Sequence, residues 1–187
     1  MLTAAPPEPT IGARTDDGID WLQSIPFWAV HVLAAAALLT GVTAGTVALC
    51  LLLYAGRMFF ITAGYHRYFS HRSFRVTRPV QFLLALGGTT AVQKGPLWWA
   101  SHHRLHHRYA DTDRDLHSPA QGFWWSYIGW LFSGRFDHTD YDQVRDLARY
   151  PELCWLNRWW LLPPEGGERR CLSDCDEVNG SPGGQEP

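Results

Sequence analysis

From Trp21 to Gly56 the chain runs 36 residues without a charged side chain. As one helix, that run would extend about 54 Å, well beyond the roughly 30 Å hydrocarbon core of a bilayer. A soluble core helix has no need to be apolar on every face. The pattern therefore predicts two spans, about 26–41 and 45–64, parted at Thr40-Gly41-Val42-Thr43-Ala44-Gly45, where two glycines fall in a short turn. The alternative is a buried helical hairpin of a soluble protein. Trp21, Phe27 and Trp28 suit an interfacial aromatic belt at the start of the first span. His31, alone within that span, reads as a hydrogen-bonded packing residue. Arg57 interrupts the second run, where a charge is costly and is expected to face protein or a water-filled cavity.

A shorter apolar stretch, Val80 to Ala91, follows Arg78-Pro79. Proline is well placed at a first helical position. Twelve residues are too few to cross a bilayer, and Gly87-Gly88 break the run, so a helix lying in the interface is expected. Gly122-Phe123-Trp124-Trp125-Ser126-Tyr127-Ile128-Gly129-Trp130-Leu131-Phe132 is dense in aromatic residues, as segments at membrane surfaces are. The run from Leu153 to Pro164 reads as the approach to a third span that then stops. Residues 1–20 are Pro-rich, acidic and aperiodic, and lack the basic start and apolar core of a signal peptide. Residues 165–187 hold five glycines, two prolines and eight charges. Both ends are expected to be disordered on composition.

The average composition hides this organisation. With 46% hydrophobic residues, net charge −2 and mean hydropathy −0.19, the chain resembles an ordinary soluble protein. Yet no acidic residue occurs between Asp20 and Asp111, while Arg57, Arg67, Arg72, Arg75, Arg78, Lys94, Arg104 and Arg108 fall in that interval. By the positive-inside rule the end of the second run is cytoplasmic, and with two spans so is the N-terminus. Four scattered cysteines make no disulfide framework. Cys50 reads as a small hydrophobe, and Cys171 and Cys175 as unpaired, reduced thiols, which suits a site facing the cytoplasm.

Candidate chemistry gathers where the basic block begins and ends. Ser101-His102-His103-Arg104-Leu105-His106-His107 places His103, His106 and His107 at i, i+3 and i+4, on one face of a helix. His102 and His106 make a second i, i+4 pair. Imidazole is the commonest protein metal ligand, and a set of this kind can chelate without distorting the backbone. Upstream, His66 and His71 form an HxxxxH pair. On an ideal α-helix those two rings stand about 140° apart, so they would serve two metals, or one metal if the helix end unwinds. Asp111-Thr112-Asp113-Arg114-Asp115-Leu116-His117 fails as an EF-hand loop, because Leu116 stands at the sixth position and Gly122 at the twelfth. Its aspartates are better used to accept hydrogen bonds from ligand imidazoles. His117 reads as supporting or structural and His138 as a surface residue.

Taken together, GYHRYFSHRSF and WWASHHRLHHRYADTDRDLHSP, followed by GFWWSYIGWLF, resemble the membrane fatty-acid desaturases, specifically the acyl-CoA Δ9 (stearoyl-CoA-type) desaturases in their bacterial form. The resemblance runs from about Pro26 to Pro164. It implies an all-α integral membrane protein with two transmembrane helices and interfacial or cytosolic helices carrying histidine boxes at 66–71 and 102–107. It also implies a desaturase domain over 21–164, partial in this chain, in a bacterial cell membrane with the metal site facing the cytoplasm. The implied activity is O2-dependent, di-iron introduction of a cis double bond into a saturated acyl-CoA, with electrons from a ferredoxin-like or cytochrome b5-like donor. No nucleic-acid partner is expected. Carried over by position, the iron ligands are His66, His71, His103, His106 and His107. His102 is left out, since many relatives have Asp there. Gln93 and Trp99 match positions that line the bend of the acyl tunnel; packing at the interface is the alternative for both. Arg67 to Arg78, Lys94 and Arg104 could meet the phosphates of coenzyme A, or set topology and contact lipid headgroups. The family's third histidine box, and a histidine and asparagine that precede it, have no counterpart after His107. The change of character at Pro164 therefore suggests a truncated or frameshifted chain with a non-homologous tail. The competing readings are a catalytically inactive membrane fragment and a related di-iron membrane hydroxylase.

Overall fold

The computed structural model describes residues 21–112 and 114–159. The arm at 1–20, the tail at 165–187, Asp113, Cys171 and Cys175 lie outside them. Among the described residues the fold is helical, with no strand. Helix α1 (Trp21–Ala37) tightens into a 3-10 turn at Leu38–Thr40. The chain then reverses through Gly41, whose φ of 86° is in the region that favours glycine. Thr43 caps helix α2 (Ala44–Phe59) in a reciprocal box: its hydroxyl accepts from Thr46 N–H while Thr46 Oγ1 accepts from Thr43 N–H. The break between the two apolar runs thus falls where the glycines were read.

Helix α2 passes without interruption into a π-helix, Phe60–Ser70, and together Ala44–Ser70 make one apolar helix long enough to cross a membrane. The first apolar helix, Phe27–Thr40, would rise only about 21 Å, short of the hydrocarbon core. One candidate span is therefore present among the described residues where two were expected. Arg57, expected to face protein or a cavity, is exposed.

Helix α3 (Arg78–Thr89) packs along the π-helix. It begins at Arg78-Pro79 as read, but Gly87-Gly88 do not interrupt it. A Cβ at Gly87 would overlap the Phe60 ring, and one at Gly88 the Tyr65 ring. These glycines allow two helices to approach closely; they do not end one. Gln81, Leu84, Ala85 and Gly88 face the contact, while Val80, Leu83 and Leu86 are exposed. An apolar outer face on such a helix is what an interfacial position requires.

Helix α4 (Pro96–Tyr109) packs on the π-helix, and the short helices α5 (Phe123–Tyr127), α6 (Arg145–Ala148) and α7 (Pro151–Arg158) complete the described chain. The core joins Tyr65 and Phe69 of the π-helix, Leu84 and Ala85 of α3, Leu97 and Ala100 of α4, and Val144, Leu147, Leu153 and Leu156. A smaller cluster gathers Leu105, Leu116 and Phe136, with Trp125 and Trp130 against it. Buried Asn157 of α7 caps α4: its Oδ1 accepts from Leu97 N–H at 3.1 Å and Trp98 N–H at 2.8 Å. This uses two of the backbone donors that a helix start leaves without a partner.

Arg104 ties the α4 histidines to the upstream pair. Its guanidinium donates to Phe69 O at 2.5 Å, Ser70 O at 3.3 Å, Gln143 O at 2.7 Å and Asp146 Oδ1 at 2.7 Å. Arg104 is thus committed internally, and a contact to substrate phosphates would have to break that network. Lys94 pairs with Asp137 at 2.8 Å, Arg78 with Glu152 at 2.7 Å and Arg72 with Asp146 at 2.6 Å. Cys50 is a free, exposed thiol. Cys154 is disulfide-bonded, a bond that the reading of reduced thiols does not anticipate.

Candidate metal centre

The π-helix decides the upstream geometry. Each of its turns closes from residue i+5 to residue i, so residues five apart stack. His71 N–H donates to His66 O at 3.1 Å in this way. The two rings therefore share a face, with centroids 4.5 Å apart and Nε2 atoms 3.2 Å apart. The 140° separation drawn from an ideal α-helix is corrected by this widening. On α4, His103 and His107 are one α-helical turn apart, with Nε2 atoms 3.0 Å apart.

The two pairs meet. His66 lies 4.8 Å from His103 and His71 lies 4.6 Å from His107, ring to ring. Ligand nitrogens of all four fall within 4.8 Å of one another. Four nitrogens held about 2.0–2.1 Å from one ion at tetrahedral angles would stand roughly 3.3 Å apart. The observed pair separations therefore suit a shared cation.

The electrostatics also favour the neutral, ligating form of imidazole. Burial, then the neighbouring imidazoles of His107, His66, His71 and His106, push His103 down to about 3. Burial, His66 and His107 likewise lower His71. A cation placed beside His71 and His103 would meet lone pairs there and displace few protons from those two rings.

His106, read as a member of the same face, goes to another group. Its Nδ1 is 2.9 Å from Asp115 Oδ1, and its ring stacks on His117 at 4.2 Å. His106, Asp115 and His117 form a second set of donor-bearing side chains within 4.8 Å of one another. Burial alone would raise Asp115, but hydrogen bonds from His106 and from the backbone N–H of His117 and Asp111 hold it below its ordinary value. The sequence reading gave the aspartates of 111–117 a hydrogen-bonding role toward ligand imidazoles and read His117 as supporting or structural, without singling out Asp115 or pairing it with His106. The available signal was the D-x-H that follows the second box by seven residues.

His102 joins neither set. It is buried, stacks on Trp98 at 4.2 Å, and its Nδ1 lies 2.9 Å from Trp98 O. Burial pushes it down to about 4. His31 contacts Phe27 O at 2.8 Å, a packing interaction as expected. His138 is exposed.

Trp99 stacks on His103 at 4.6 Å, and its indole N–H donates to Gln93 Oε1 at 3.2 Å. Gln93 is flanked by Val92 at φ 58° and Lys94 at φ 61°, uncommon conformations for non-glycine residues. The two tunnel candidates are therefore neighbours of each other and of the histidine cluster.

The fatty acid desaturase family matches residues 43–163, which include every histidine of both sets. This chain belongs to the fatty acid desaturase family. Among similar desaturases, an sn-2 palmitoyl-lipid 9-desaturase of Nostoc sp. (strain 36) is 41% identical over 150 residues, covering 76% of this chain and 52% of the relative. An sn-1 stearoyl-lipid 9-desaturase of Anabaena variabilis is 36% identical over 157 residues, covering 82% and 57%. A probable acyl-CoA desaturase of Schizosaccharomyces pombe is 35% identical over 148 residues, covering 76% and 30%. The chain spans about half the length of the two 9-desaturases it matches.

Proposed function

We propose that this chain carries two histidine boxes of a membrane-bound, multi-pass di-iron desaturase that inserts a double bond at carbon 9 of a saturated fatty acyl chain. The observation that supports this most is the convergence of His66, His71, His103 and His107 from two helices onto one spot. In this reading those four hold one iron, and His106 is a donor to a second. Gln93 and Trp99 lie along the acyl path. The metal site faces the cytoplasm of a bacterial cell. The overall reaction converts –CH2–CH2– and O2, with two electrons and two protons, into –CH=CH– and two waters. Its electrons come from a ferredoxin-type or cytochrome b5-type donor.

Imidazole-rich donor sets suit iron, and the bound metal supplies the oxidising power to activate O2 and break unactivated C–H bonds. The chain's own residues do the rest. His71 and His103, lowered chiefly by burial, are held toward the neutral form that ligates. Arg104 holds the two helices in register. The indole of Trp99, fixed by Gln93 and stacked on His103, presents an apolar wall beside the donors. Such a wall selects which carbon approaches by position alone.

The head group is the point on which two substrates divide. The acyl-CoA reading drew on a basic surface for the phosphates. Lys94, Arg104, Arg72 and Arg78 of that surface are paired with aspartate or glutamate. This favours an acyl lipid, the substrate type in the names of the two 9-desaturases.

The test is a chimera in which residues after Pro163 are replaced by the corresponding part of the Anabaena variabilis relative. Expressed in a host lacking 9-desaturase, it should yield chains unsaturated at carbon 9, read by mass spectrometry of lipid and acyl-CoA pools separately. His103→Ala in the chimera should abolish the product. A product undiminished by that substitution would contradict the assignment.

A further inference from the structure

Among the described residues, Asp115 is a wholly buried carboxylate in contact with a histidine of the second box. Asp115 has a side chain that is 0% exposed. Its Oδ1 lies 2.9 Å from His106 Nδ1 and accepts the His117 backbone N–H at 3.3 Å, while Oδ2 accepts the Asp111 N–H at 3.2 Å. Asp111 makes that contact from a φ of 61°, an uncommon backbone conformation for a non-glycine residue. An ionised carboxylate only accepts hydrogen bonds. Nδ1 of His106 must therefore carry the proton, and the lone pair is left on Nε2.

The ring is held as well as the tautomer. His106 stacks on His117 at 4.2 Å with planes 21° apart, and His117 stacks on Trp130 at 5.0 Å and 29°. Turning the His106 ring would break the carboxylate contact and slide it off this column. Among the described residues no carboxylate contacts His103 or His107, which turn their Nε2 atoms toward each other.

We propose that Asp115 is a positioning residue that fixes His106, in tautomer and in direction, as a metal donor through Nε2. The inference rests on the reading of His106 as a donor to a second ion. Asp115 acts through His106 and is not itself a ligand. Its oxygens already accept three N–H groups, and the nearly parallel, stacked rings of His106 and His117 do not aim their in-plane lone pairs at one point. Hydrogen-bonded carboxylates behind ligand imidazoles typically contribute about 10–100-fold to metal affinity.

The test is a cobalt(II) titration of the metal-free 187-residue chain in detergent, followed by visible absorption and by competition with a chelator. Wild type should take up one ion tightly at the four imidazoles and a second more weakly. Asp115→Asn should weaken the second step by about 10–100-fold and leave the first within about twofold. His106→Gln should remove the second step, and adding Asp115→Asn to it should change nothing further. A purely structural role for Asp115 predicts otherwise, because damage to the 111–117 turn would also reach the four-imidazole step with His106 already absent. Two normal steps in Asp115→Asn, or a loss that persists in the His106→Gln background, would overturn the positioning role alone. Failure of wild type to bind any cobalt would instead refute the metal reading of the histidines, and the positioning role with it.

Discussion

Replacing Arg104 by Met keeps the length of the side chain and removes its charge and all five donors. In the wild type the guanidinium, only 15% exposed, binds Asp146 twice and the carbonyls of Phe69, Ser70 and Gln143. Loss of one partner of a buried ion pair costs about 3–5 kcal/mol, because the other charge is left without compensation. Asp146 is partly exposed and keeps Arg72 at 2.6 Å, which reduces the ion-pair share to about 0–2 kcal/mol. Two carbonyls that lose close partners add about 1 kcal/mol each. A destabilisation of about 2–4 kcal/mol follows, or a Tm lower by roughly 5–15 °C at this chain length. The loss should reach the metal site too, since Phe69 and Ser70 are the residues just before His71. Unfolding of the metal-free chain in detergent, with cobalt affinity measured in parallel, checks both. If Arg104→Met unfolded within about 0.5 kcal/mol of wild type and only acyl-CoA binding suffered, the internal role would be wrong and a phosphate contact right.

Three further outcomes are expected. Gly88→Ala should destabilise by about 1–3 kcal/mol by denaturant unfolding, because its methyl group meets the fully buried Tyr65 ring; an unchanged midpoint would deny the close helix approach. Metal-free protein should lose stability as pH falls from about 7 to 5, seen as a falling unfolding midpoint. His71, His102, His103 and His117 are all depressed below the ordinary 6.5, chiefly by burial. In that window the unfolded chain binds more protons, so acid favours unfolding, at up to about 1.4 kcal/mol per pH unit for each group. A midpoint that rose with acid would reverse the argument. Finally, the 187-residue chain assayed alone with stearoyl substrates, O2 and a reductant should form no unsaturated product by mass spectrometry, because among the described residues the second donor set holds only His106, Asp115 and His117, too few to complete a second iron site; product would mean that other groups complete the set.

Much of the scaffold was legible because it depends on local chemistry. Gly41 and the Thr43 cap appear where the uncharged run needed a break, and Pro79 opens α3. The histidine pair at 103 and 107 follows from α-helical spacing. What was not legible depends on neighbours distant in sequence. Nothing in Phe60–Ser70 announces i+5 hydrogen bonding, and so the joint face of His66 and His71 was hidden. Gly87-Gly88 resembled a helix break until Phe60 and Tyr65 were set against them. Arg104 resembled a phosphate ligand because its acceptors lie 34 to 42 residues away. His106 has the spacing of a partner for His103, yet Asp115 and His117 draw it to a different set.

The central claim is that His66, His71, His103 and His107 bind one ion together. The most direct measurement is iron per chain by elemental analysis after anaerobic loading and desalting, for wild type, His71→Ala, His103→Ala and His31→Ala. One residue from each box and one isolated histidine separate a shared site from general affinity. The account expects tightly held iron in wild type and His31→Ala, and its loss in both His71→Ala and His103→Ala. Equal retention in all four proteins, or dependence on one box without the other, would contradict it.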